Sequence, residues 1–180
     1  MIKNILTIIG SPRKKGNTSW LIHELLDHTN DPEKDIIFTS DHKINPCTDC
    51  RGCKKGDFNC IVKDDMQDIY SRLGNADLLI FGTPIYWFGP SAQLKLLIDR
   101  LRPYYGNKRL KGKKAIVVMA AGSGEGDTDL CVEMFKRTFS ALGIEFIGKI
   151  FSHSFDIGDA AKDKSAKKQI NEIAKKINPL

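Results

Sequence analysis

The sequence predicts an α/β fold in which one parallel sheet carries helices on both faces. Three observations lead there. Short apolar runs rich in β-branched residues recur along the 180-residue chain, amphipathic helical stripes alternate with them, and the runs are apolar at successive positions, as in strands buried on both faces. The composition, 41% hydrophobic and 28% charged, is that of an ordinary globular protein. Length predicts a single domain over residues 1–180, without repeats or low-complexity linkers.

The elements follow in order. Ile2–Ile9 is the first strand, and Asn17, Thr18 and Ser19 offer caps to a helix whose inner face is Leu21, Ile22, Leu25 and Leu26. Asp35–Thr39 is a second, short strand. Residues 44–63 carry no apolar period and hold the cysteines. Asp64 and Gln67 have capping-box spacing before a helix face of Met66, Ile69, Tyr70 and Leu73, stopped by Gly74 and Asn75. Asp77–Gly82 is the third strand, and Pro90 suits the first turn of a helix with the stripe Leu94, Leu97, Ile98 and Leu101. Lys114–Met119 is the fourth strand, and Cys131, Phe135, Phe139 and Leu142 form the next helix face. Ile144–Phe151 is the fifth strand, and Ala166, Ile170, Ile173 and Ile177 line the last helix.

The longest apolar run, Ala115–Ala121, is seven residues, far short of the ~20 a membrane helix needs. Gly10-Ser11-Pro12 interrupts the N-terminal run before signal-peptide length, so the expectation is a cytoplasmic protein with no membrane partner. The net charge of +6 is concentrated in two segments. Asp99–Lys114 has seven Lys or Arg and one acid, and Lys162–Leu180 has six Lys and two acids. Tyr104 and Tyr105 are their only aromatics, too few for a base-stacking surface, so no nucleic-acid partner is expected. Solvated faces or an acidic protein partner account for the lysines.

In a doubly wound sheet, ligands sit at the carboxyl ends of the strands. The loop there after the first strand, residues 10–19, joins a buried strand to a helix start, where unpaired N–H groups favour an anion. Ser11, Thr18 and Ser19 hydroxyls and the Asn17 amide add donors. The loop fits neither the Walker spacing nor a dinucleotide fingerprint, which points to a terminal phosphomonoester such as that of FMN; a helix cap that binds nothing is the alternative. After the third strand, Tyr86, Trp87 and Phe88 are consecutive and cannot all be buried, so at least one is expected to be exposed, either beside a planar ring or in an interface. The small residues Ala121, Gly122 and Ser123 after the fourth strand allow close backbone approach to a ligand or simply form a surface turn.

Four of the five cysteines fall within fourteen residues, as Cys47, Cys50, Cys53 and Cys60. Clustering of this kind indicates a metal or redox centre more than a disulfide framework. The spacing resembles [4Fe-4S] ligation, with Gly56 allowing the turn to the last cysteine. Zinc, metal-free thiols and a redox disulfide remain open, and zinc without flavin would make the chain a regulatory binding module. Cys131 lies on a helical apolar face and is read as core. The four histidines share no catalytic spacing, and Asp64 and Asp65 are read as helix-start acids, so no catalytic acid or base is assigned.

Together, residues 10–19, the cysteine motif running into Asp64, Asp65 and Met66, and residues 83–100 resemble the NADPH-dependent FMN reductase-like flavoproteins, and within them the iron-sulfur flavoproteins. This resemblance implies a flavodoxin-like doubly wound five-stranded parallel sheet, order 2-1-3-4-5, with the cysteine-rich segment inserted. It implies FMN bound by Ser11, Arg13, Gly16, Asn17, Thr18 and Ser19 around the phosphate. Pro84, Ile85, Tyr86, Trp87, Phe88 and Gly89 would lie along the ring, near Ala121, Gly122 and Ser123. Cys47, Cys50, Cys53 and Cys60 would hold [4Fe-4S]. It further implies a homodimer or homotetramer with flavin near the subunit boundary. Ferredoxin or NAD(P)H would be the electron donor and a small molecule the acceptor. A cluster-free NAD(P)H-dependent FMN or quinone reductase is the nearest alternative.

Overall fold

The computed structural model describes residues 2–30 and 32–178. The outermost residues of the expected 1–180 domain, and the end of the basic segment 162–180, lie outside the described residues. Five strands form the parallel sheet: β1 (Asn4–Ile9), β2 (Glu33–Phe38), β3 (Leu78–Tyr86), β5 (Lys114–Ala121) and β6 (Glu145–His153). Their order is β2-β1-β3-β5-β6, with a two-residue strand β4 (Gly89–Pro90) folded back antiparallel onto the end of β3. Among the parallel strands this is the expected 2-1-3-4-5 arrangement.

Among the described residues, six helices flank the sheet: α1 (Asn17–Asp27), α2 (Met66–Asn75), α3 (Ala92–Asp99), α4 (Arg102–Asn107), α5 (Asp129–Leu142) and α6 (Lys164–Ile177). Successive strand side chains go to opposite faces. Leu6, Ile8, Leu79, Phe81, Val117 and Met119 join the core under α2–α5, whereas Ile5, Ile9, Leu78, Ile80, Ile116 and Val118 join the core under α1 and α6. Burial on both faces is why these strands are apolar at consecutive positions. The order reverses between β1 and β3, and that switch point opens at the carboxyl ends of the strands. Among the described residues no helix is long and apolar enough to cross a membrane.

The structure differs from the sequence expectation at several element ends, and β3 runs on to Tyr86 rather than ending at Gly82. The stripe ending at Leu101 is split: α3 stops at Asp99 and α4 restarts at Arg102, because Pro103 fits only the first turn of a helix. Pro90 lies in β4 rather than in a helix, and Ser91 caps α3, its hydroxyl accepting from Leu94 N–H at 3.3 Å. Helix α1 is capped by Gly16, so Asn17, Thr18 and Ser19 form its first turn. Asp64 is not the cap of α2, which follows Asp65; the Gln67 amide instead donates to the Val62 carbonyl at 2.6 Å.

Candidate functional site

Three strand-tip loops converge as expected, and a fourth joins them. A cavity of about 450 Å³ at the switch point is lined by Ser11, Arg13, Gly16, Asn17 and Thr18 from the first loop. Pro84, Ile85 and Tyr86 line it from the end of β3, and Ala120, Ala121 and Gly122 from β5. Ser154, Phe155, Asp156 and Ile157 close it from the loop after β6. Ser19, Trp87, Phe88, Gly89 and Ser123 lie outside this lining. Ser19 is buried and bonds the Arg13 carbonyl at 3.4 Å.

The first loop has the features of an anion cradle. Gly16 provides no side-chain cap to α1, so the N–H groups of its first turn have no capping partner. The buried Ser11 hydroxyl turns the loop by accepting from Arg13 N–H at 3.2 Å, and the buried Thr18 side chain lines the cavity. Gly10 lies so close to α3 that a Cβ there would meet Leu94 Cβ at 2.6 Å. The Ser91 hydroxyl at the start of α3 donates to the Gly10 carbonyl at 2.6 Å, which ties the two elements together. A phosphate therefore fits the N–H groups and hydroxyls left at this end of α1. The Asn17 amide is engaged by the loop after β6. Its Nδ2 donates to the Asp156 carbonyl at 2.8 Å and its Oδ1 accepts from Gly158 N–H at 3.0 Å.

The aromatic trio is exposed, as expected, and the reason is a hairpin. Tyr86 pairs with Gly89, and Trp87 and Phe88 form the two-residue connection, with φ of 48° and 64°. Two consecutive positive φ values are what a tight hairpin turn requires, yet bulky residues rarely adopt them. Trp87 is 94% exposed. This strained turn therefore holds a large aromatic side chain in water.

The four clustered cysteines meet at a second, smaller cavity of about 160 Å³, which all four line. Arg51, Lys54, Arg100 and Arg102 line it too, against Asp49 and Asp99, so its walls carry an excess of positive charge suited to anionic sulfur ligands. The loop here is also strained, with Asp49, Arg51 and Phe58 all at positive φ. Burial, and then proximity to Cys60, push the Cys53 thiol pKa up. Among the described residues, no three Cys, His, Asp or Glu side chains are drawn around a single-ion position. Four thiols around one cavity with an excess of positive charge are a donor set that fits an anionic iron-sulfur cluster.

Asp64 and Arg100 anchor this segment from beneath. Both side chains are 1% exposed, and Arg100 Nη1 donates to Asp64 Oδ2 at 2.7 Å and to the Asn45 carbonyl at 2.8 Å. Asp64 also accepts from the N–H groups of Asn45 and Met66. Burial opposes its charge, but these donors and Arg100 hold its carboxyl below the usual range. The pair therefore clamps the chain just before Cys47 and just after Cys60. Arg100, which lines the thiol cavity, has its Nε buried with no partner among the described residues. Cys131 is buried core, its thiol pushed up to about 12 by desolvation.

The strand order, and the cavity at the point where that order reverses, define a flavodoxin-like α/β protein with a ligand cavity at its strand tips. Residues 3–156 match the NADPH-dependent FMN reductase family, and the chain belongs to that family. It is 34% identical over 146 residues to an iron-sulfur flavoprotein of Methanocaldococcus jannaschii, covering 80% of this chain and 75% of that one. An iron-sulfur flavoprotein of Methanosarcina thermophila is 32% identical over 180 residues, 96% and 92% of the two chains. Among solved structures, the Trp repressor binding protein of Bacillus subtilis superposes with a TM-score of 0.72 at 25% identity, over 94% and 96% of the two chains.

Proposed function

We propose that the protein is an FMN-binding redox flavoprotein in which Cys47, Cys50, Cys53 and Cys60 hold a [4Fe-4S] cluster, electrons being relayed between cluster, flavin and a small acceptor. The observation that carries this reading is the single cavity lined by all four thiols, linked through α3 to the phosphate cradle. Two relatives named iron-sulfur flavoproteins support it. When bound, the two groups supply the one- and two-electron chemistry, and the protein supplies positions and electrostatics. Ser11, Thr18 and the first-turn N–H groups of α1 hold the phosphate, and Arg13 adds charge. Pro84, Ile85 and Tyr86 line the ring's side of the cavity, and Ala121 and Gly122 admit it closely. No residue is assigned as an acid or base.

The exposed Trp87 and Phe88 on the hairpin after Tyr86, together with the exposed Phe155 and Ile157 on the cavity lining, support assembly as a homodimer or homotetramer with these residues at the boundary. The electron donor in this reading is ferredoxin or NAD(P)H, and the location is the cytoplasm. A second reading, an NAD(P)H-dependent FMN or quinone reductase without a cluster, is favoured by the family description. Anaerobic purification with iron, acid-labile sulfide and flavin assays separates the two. About four iron and four sulfide per FMN are expected. FMN without iron removes the cluster and leaves the second reading.

A further inference from the structure

Asn17 sits in the phosphate cradle, yet its side chain is committed elsewhere. Besides the bonds to Asp156 and Gly158, its Oδ1 accepts from Ala160 N–H at 3.4 Å, so both ends of the amide are engaged by the loop after β6. That loop is also held from two other directions. Asp159 Oδ2 accepts from the N–H groups of Phe155 at 3.2 Å and Asp156 at 2.8 Å, and Ser154 N–H donates to the Ala121 carbonyl at 2.7 Å. The Phe155 ring packs over Gly122, where a Cβ would meet it at 2.7 Å. Despite this fixed backbone, Phe155 is 81% exposed and Ile157 is 66% exposed, both on the lining of the cavity. A solvated turn has no need to hold two large apolar side chains in water at the edge of a pocket.

We propose that Asn17 is a positioning residue rather than a phosphate ligand. Its amide holds residues 154–157 as a fourth wall of the flavin site, and Phe155 and Ile157 give apolar cover to the ring and ribityl chain, the part that FMN shares with riboflavin. This rests on the FMN reading above. It follows that Asn17 serves the half of the ligand that lacks the phosphate, although it lies beside the phosphate itself.

Titrating the full-length protein with FMN and with riboflavin, read by flavin fluorescence, tests this. Asn17→Ala is expected to weaken both flavins by the same factor, about tenfold for a lost hydrogen-bonded anchor. Phe155→Ala is expected to do likewise, and the double variant to lose little more than either single one, because both act through one wall. Thr18→Ala, on the phosphate side, is expected to weaken FMN alone. An Asn17→Ala loss confined to FMN overturns the proposal, as do fully additive losses in the double variant. Should Asn17→Ala fail to fold, Phe155→Ala decides: equal loss for both flavins supports the wall, and unchanged affinity removes it. A wild-type protein that binds neither flavin defeats the FMN reading and this inference with it. FMN binding with a phosphate-specific Asn17 defeats only the inference.

Discussion

Replacing Trp87 and Phe88 with Asn and Gly is expected to make the protein more stable and a poorer flavin binder. Both residues sit at positive φ in a two-residue hairpin, where each non-glycine side chain costs about 1–2 kcal/mol. Asn and Gly adopt that backbone readily, relieving about 2–3 kcal/mol in total. Trp87, 94% exposed, gives up almost no burial. Phe88, half-buried, gives up about 1 kcal/mol, half of a full side-chain burial. The balance is a gain of about 1–2 kcal/mol, or about 2–8 °C in melting temperature for a domain of this size. Thermal melts of flavin-free wild type and variant measure it, with flavin affinity read in parallel. An unchanged or lower melting temperature refutes the claim that the hairpin stores strain, and unchanged flavin affinity refutes its use as part of the ring's surroundings.

Asp64→Ala leaves Arg100 charged and buried without its partner, for a loss of about 3–5 kcal/mol in urea unfolding and faster labelling of Cys47 and Cys50 by a thiol reagent; a loss under about 1 kcal/mol contradicts the clamp. The Asp77 carboxyl lies below its usual value because the N–H groups of Lys3 and Asn4 donate to it, and Asp35 does so through Arg72. Depressed values in the folded state give stability that is present above the unfolded value, about 3.9, and is lost as pH falls through the folded one. Melting temperature should therefore drop below about pH 4, and Asp77→Asn should flatten that slope; an equally steep slope in the variant counts against it. Replacing Cys53 with Ser should abolish iron binding while leaving FMN stoichiometry intact, checked by metal and flavin assay of anaerobically prepared protein; iron retained at the wild-type ratio excludes Cys53 as a ligand.

The alternation of strands and helices was readable because each buried strand is a short run apolar on both faces, and each helix carries one stripe matched to its core. Boundaries were lost where local pattern and chain geometry part. Leu101 continues the stripe of α3 in spacing, while Pro103 forces a new helix to begin. The hairpin at Trp87 and Phe88 has none of the Asn or Gly residues that announce such a turn, although the exposure of its aromatics could be inferred from their being consecutive. The three expected loops do line one cavity. The wall from residues 154–157 was missed because its bonds to Asn17 span 139 or more residues and leave no local trace. The one available signal was a pair of apolar residues, Phe155 and Ile157, in an otherwise polar stretch ahead of Gly158.

Helix α3 works as a gauge between two places where chemistry can occur. Its first end is stitched to Gly10 through Ser91, and its last residue adjoins Arg100 beneath the cysteines. Eight residues at 1.5 Å each set that separation at about 12 Å. Adding or removing one residue would shift one end by about 1.5 Å and swing it through about 100°, so it could not stay seated at both. An outward position such as Lys95 can be replaced without that effect, whereas the helix cannot be lengthened.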